Sequence, residues 1–83
     1  MTVHLQIAEQ VKKHRQAQKE FLKLDAEREH AIAGALSLAR AGQHFETNEI
    51  NRITKEMNTI ASAFQFPMRK QVTKQMVNEY ISR

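Results

Sequence analysis

The chain has no cysteine, no tryptophan, one proline and two glycines in 83 residues. Without cysteine there is neither a disulfide nor a thiolate zinc site. So few glycines leave no loop to cradle a phosphate. Three serines, Ser37, Ser62 and Ser82, fall in helical stretches without a strand-to-helix elbow, so a serine nucleophile has no setting. No apolar run approaches the ~20 residues of a membrane span. The opening Met1-Thr2-Val3-His4 lacks a basic segment followed by an apolar one, so no secretory signal is expected. The scarcity of turn residues also argues against a many-stranded sheet. Together these shortages point to an all-α, cytoplasmic, non-enzymatic protein with no cofactor, no metal and no membrane partner.

What is present supports a folded chain. Hydrophobic residues make up 41% and charged residues 27%, too apolar a mix for a disordered segment. The length suits one small helical domain spanning 1–83, of a size that is often marginal alone.

From Val3 to Ala41 there is no proline and only Gly34, and Gly42 then reads as the left-handed residue that ends a helix. Asp25 is the one candidate for a break, but Leu24-Asp25-Ala26-Glu27 holds no glycine or proline, so a continuous helix over about 3–41 is predicted. Ile7, Val11, Phe21, Ile32, Ala35 and Ala39 fit a heptad seam, interrupted by His14, Gln18, Asp25 and Arg28. Residues Ala31 to Ala39 are apolar nearly all round and read as buried.

A second helix is predicted over about 47–64, antiparallel to the end of the first. Thr47 is its expected N-cap, with Glu49 in its first turn. Ile50, Ile53, Met57, Ile60 and Phe64 recur at alternating steps of three and four, the cleanest amphipathic signal in the chain. Pro67 forces a connector over 65–72. Thr73 then reads as an N-cap, with Val72 and Val77 placed as a hydrophobic staple, for a third helix over about 74–82. Val77, Tyr80 and Ile81 mark that helix's apolar face, with Met76 at its edge.

The lengths do not match. The first helix would be ~57 Å long and the second ~25 Å. Part of the first helix's apolar face must therefore meet something outside the chain. A homodimer is the expected answer, with Leu5, Ile7, Val11, His14, Phe21 and Leu22 as interface. Leu36, Ile50, Ile53, Met57, Ile60 and Phe64 would hold the fold. Charge is blocked in a way that helps. Residues 1–19 carry four Lys/Arg against one Glu, residues 20–49 three against six acidic, and residues 50–83 six against two, for a net +4. Two antiparallel copies would set unlike blocks side by side.

Two further groups of residues have both a functional and a plainer account. Lys12, Lys13, Arg15 and Lys19, with Arg69, Lys70 and Lys74, form two basic clusters that would suit nucleic-acid phosphates. But the 65–72 connector is long for a helix-turn-helix, and no aromatics interleave with the basic residues. Solubilising charge is the plainer account. Glu27 and His30 have the Glu-x-x-His spacing that di-iron carboxylate bundles use in pairs, which a dimer would supply. A solvated polar face explains the same residues, and the four histidines share no zinc-binding spacing. Met57, Met68 and Met76, near Phe64 and Phe66, read as core filling rather than an adaptable binding surface.

Three strings carry a resemblance: Phe21-Leu22-x-Leu24-Asp25-x-x-Arg28-Glu29-His30, Ile50-Asn51-Arg52-x-Thr54-x-Glu56-Met57-Asn58, and Val72-Thr73-x-x-Met76-Val77-x-Glu79-Tyr80. They resemble a family of short, uncharacterised proteins of spore-forming Gram-positive bacteria. The resemblance covers most of the chain. It implies a bacterial cytosolic protein and transfers no activity or site residues.

Overall fold

A computed structural model describes residues 2–83. Its elements are α1 (Thr2–Arg40), α2 (Asn48–Phe64) and α3 (Lys74–Ile81). Each boundary lies within a residue or so of the expected one, and α1 runs through Asp25 unbroken.

Local chemistry sets the ends. At the close of α1, Gly42 takes φ 71 and donates its N–H to the Ala39 carbonyl at 3.0 Å, while Gln43 N–H reaches the Leu38 carbonyl at 2.9 Å. This is a Schellman closure, and it satisfies two carbonyls the helix leaves orphaned. α2 ends with Gln65 in the same left-handed region, φ 59. A side chain with a Cβ pays about 1–2 kcal/mol for that conformation. Thr73 caps α3 as expected, accepting from Met76 N–H at 3.1 Å, with Val72 and Val77 buried together beside it. Thr47 occupies the expected cap position of α2, but its side chain makes no cap hydrogen bond and is buried instead.

α2 lies antiparallel along the C-terminal part of α1. Residues 17, 21, 24, 28, 31 and 35, spaced by four and three, form the α1 edge of that contact. Phe21 and Leu24 pack with Ile53, Met57 and Ala61; Ala35 packs with Ile50, Val72 and Val77; Ala31 joins the two clusters. Ile50, Ile53 and Met57 are essentially sealed from solvent, each worth about 1.5–3 kcal/mol of burial.

The connector between α2 and α3 has no helix or strand of its own, so its backbone groups need side-chain partners. Two asparagines supply them. Asn51 donates to the Val72 carbonyl at 2.9 Å and accepts from Val72 N–H at 2.7 Å. Asn58 does the same for Arg69, at 2.9 and 2.8 Å. Between them Arg28 reaches across from α1. Its Nη2 donates to the Lys70 carbonyl at 2.9 Å and its Nε to Thr54 Oγ1 at 2.8 Å. Thr54 in turn donates to the Ile50 carbonyl at 2.8 Å. Arg28 thus interrupts the heptad seam for a structural purpose: it ties three elements at one point. Among the described residues, no buried side-chain polar atom lacks a partner.

Two expectations are corrected here. The stretch 31–39 is not enclosed: Ala33, Gly34, Ser37 and Leu38 are exposed, because α2 and α3 cover only part of the α1 circumference. Met57 fills the core, but Met68, on the connector, and Met76, on the open rim between α1 and α3, are 62% and 44% exposed.

Candidate interaction surface

The structure is 62 Å long and only 20 × 16 Å across. α1 sets that length, and the rest of the chain does not cover it. Every described side chain from Val3 to Gln16 is exposed, and Ala17 is the first half-buried one. The last turn of α2 and the connector reach α1 at His14, whose ring lies 6.2 Å from Phe64 and 5.3 Å from Phe66. Beyond that point Val3, Leu5, Ile7 and Val11 stand 62%, 65%, 54% and 44% exposed.

Val3, Ile7 and Val11 continue lines that exist farther along the helix. Val3 and Ile7 extend the edge that α2 covers. Val11 belongs to a neighbouring line, 11, 15, 18, 22, 25, 29, 32 and 36, again spaced by three and four. On that line Leu22 is 58% exposed. Its far end enters a groove between α1 and α3 lined by Glu29, Ile32, Leu36, Met76, Val77 and Tyr80. Met76 and Tyr80 are largely exposed as well. An interrupted apolar band therefore runs along α1 from Val3 to the α3 groove, wider than the scattered single residues normal for a surface.

Of the six residues expected at an interface, Leu5, Ile7, Val11 and Leu22 are uncovered. Phe21 is corrected: it is only 5% exposed and packs against Ile53, Met57 and Phe66 within its own chain. The α2 end and the Phe66 connector reach one turn farther along α1 than the periodicity suggested. His14 is exposed but edge-on to Phe64 and Phe66, so part of its ring is engaged internally. Met76 and Tyr80 were not expected at this surface. The signal that would have found them is the second line of α1, whose C-terminal end needs α3 for a neighbour.

The charged groups sort by position. Lys12, Lys13, Arg15 and Lys19 are all exposed on the N-terminal half of α1. The second basic cluster is partly committed. Arg69 sits 3.5 Å from Asp25 and over the Phe21 ring at 5.2 Å, and Lys74 is 3.5 Å from Glu46. Lys70 remains exposed. Glu46 has its carboxyl pulled below the usual range by the hydrogen bond from His44, with Lys74 adding to it. Glu49 is lowered by its hydrogen bond from Arg52, whose guanidinium is raised in turn. Glu27 and His30 are both exposed and border an open groove with Glu49 and Arg52. Among the described residues no three His, Asp or Glu side chains converge as a metal would need. Nor, among those residues, is any helix long and apolar enough to cross a membrane.

The class that these features define is a small three-helix protein with one helix projecting bare beyond its own bundle. Residues 1–83 match the family described as "Protein of unknown function (DUF2533)", and the chain belongs to that family. It is also similar to the "Uncharacterized protein YpbS" of Bacillus subtilis (strain 168), 38% identical over 81 residues, covering 98% of this chain and 95% of the relative. No solved structure matches.

Proposed function

We propose that this protein is a non-enzymatic helical interaction module, working in the cytosol, that self-associates as a homodimer through the uncovered face of α1. The observation that carries this reading is the exposed apolar band at Val3, Ile7 and Val11 on a helix end without cover from its own chain. An unsupported helix end frays in water, because short helices owe most of their stability to packing of an apolar face. The first turn of α1 has no acidic residue to meet the helix dipole. Covering it with a partner supplies the missing packing.

Sedimentation equilibrium of the purified protein across micromolar concentrations tests the reading. A mass of twice the 9.6 kDa chain is expected, falling to the monomer in Ile7→Asp/Val11→Asp. A monomer at every concentration removes self-association. The basic clusters gain no comparable support, since Arg69 and Lys74 are turned to carboxylates of their own chain.

A further inference from the structure

We infer that the occupant of the bare band is a second copy lying antiparallel along α1, its N-terminal overhang seated at the α1–α3 groove. This rests on the self-association reading and adds the site, direction and register. The charge blocks of α1 are complementary in antiparallel order. With the two-fold axis at Glu20, Gln18 of one copy lies over Leu22 of the other, Arg15 over Asp25, Val11 over Glu29 and Ile7 over Ala33. Val3 then falls beside Leu36, which lines the groove with Met76 and Tyr80. Both overhangs are covered at once, so the assembly closes as an isologous dimer and does not grow into a filament.

Charge selects this direction. Residues 1–19 carry Lys12, Lys13, Arg15 and Lys19 against Glu9. The facing segment carries Glu20, Asp25, Glu27 and Glu29 against Lys23 and Arg28, and Arg28 is turned inward to Thr54 and the Lys70 carbonyl. Antiparallel pairing sets a basic overhang against an acidic middle, whereas parallel pairing stacks like on like. Arg15 lies over Asp25 of the other copy, whose carboxylate already meets Arg69 of its own chain, and reaches one turn on to Glu29, which is exposed on the groove rim with no ion pair inside its own chain among the described residues. Ala33 is small and exposed, so it admits the Ile7 side chain without displacing anything.

The absence of cysteine makes the register directly readable. Ile7→Cys and Ala33→Cys chains are prepared separately, mixed, equilibrated and oxidised, and the covalent dimers are weighed by intact mass. The heterodisulfide between positions 7 and 33 is expected to dominate. Homodisulfides joining 7 to 7 or 33 to 33, or no covalent dimer, overturn the register while a wild-type dimer mass leaves self-association standing. A wild-type monomer overturns both. Charge provides the second arm: Arg15→Glu is expected to weaken dimerisation about tenfold and Arg15→Glu/Glu29→Arg to restore most of it. If the double variant dimerises no better than the single one, the pairing of Arg15 with Glu29 is wrong.

Discussion

The two ends of α1 follow one heptad pattern and meet opposite surroundings. From Ala17 to Ala39, the residues on its inner edge are covered by α2, the connector and α3. At Val3 and Ile7, the same spacing faces solvent. The difference does not lie in the helix itself. It lies in where the covering ends: α2 stops at Phe64, beside His14, and the left-handed Gln65 turns the chain back toward α3. Apolar periodicity thus says that a helix has a face for packing, and the length of its neighbours says which part of that face is left for another molecule.

Mutation of the two ends gives the widest contrast. In dilute monomer, Phe21→Ala should lower folding stability by about 3–5 kcal/mol, the usual cost of deleting a buried ring, while Ile7→Ala should stay within about 0.5 kcal/mol. Chemical denaturation at low concentration measures both, and equal losses would erase the distinction between covered and bare ends. The Asn58→Ala change comes next, at about 1–3 kcal/mol, because it strands the Arg69 backbone groups that the amide now satisfies. Hydrogen exchange should show the loss concentrated in 66–73, with amides of 3–13 unchanged. Exchange spreading evenly along α1 would mean that the clamp and the overhang are one unit.

A smaller effect has the opposite sign. Gln65→Gly should stabilise by about 0.5–1 kcal/mol, read as a raised denaturation midpoint, since glycine reaches φ 59 without the Cβ clash. No gain would mean that Gln65 is held there by something worth as much as the strain. The smallest effect is that of acid. Glu46 and Glu49 have lowered carboxyl pKa values, so their contribution is present above the unfolded value of about 4.5 and is lost as the pH falls through the folded one. Both groups are fully solvated, so Glu46→Gln should alter thermal stability detectably at neutral pH only at low salt and not at all near pH 2.

Much of the fold was legible in the chain. The helix limits follow from Gly42, Pro67 and Thr73, whose effects are confined to a turn or two of backbone. The face of α2 follows from Ile50, Ile53 and Met57. The roles of Asn51, Thr54 and Asn58 were not legible. They sit one position beyond the apolar residues, at steps of three and four, but their partners Val72 and Arg69 lie 21 and 11 residues away. Arg28 read as a flaw in a seam for the same reason, its partners Thr54 and Lys70 being 26 and 42 residues away. Leu5, Ile7, Val11 and Leu22 read as unneeded by the core and are bare, whereas Phe21 belongs to the core, and Met76 and Tyr80 to the exposed groove, through contacts with distant parts of the chain.

Sequence by itself determined three helices, their ends, and a first helix too long for the rest, because helix propensity, capping and periodicity act over a few neighbouring residues. Only the tertiary structure decided which apolar side chains the chain covers for itself. That choice depends on how far α2 reaches and how the connector is pinned, and both are set by contacts between residues distant along the chain.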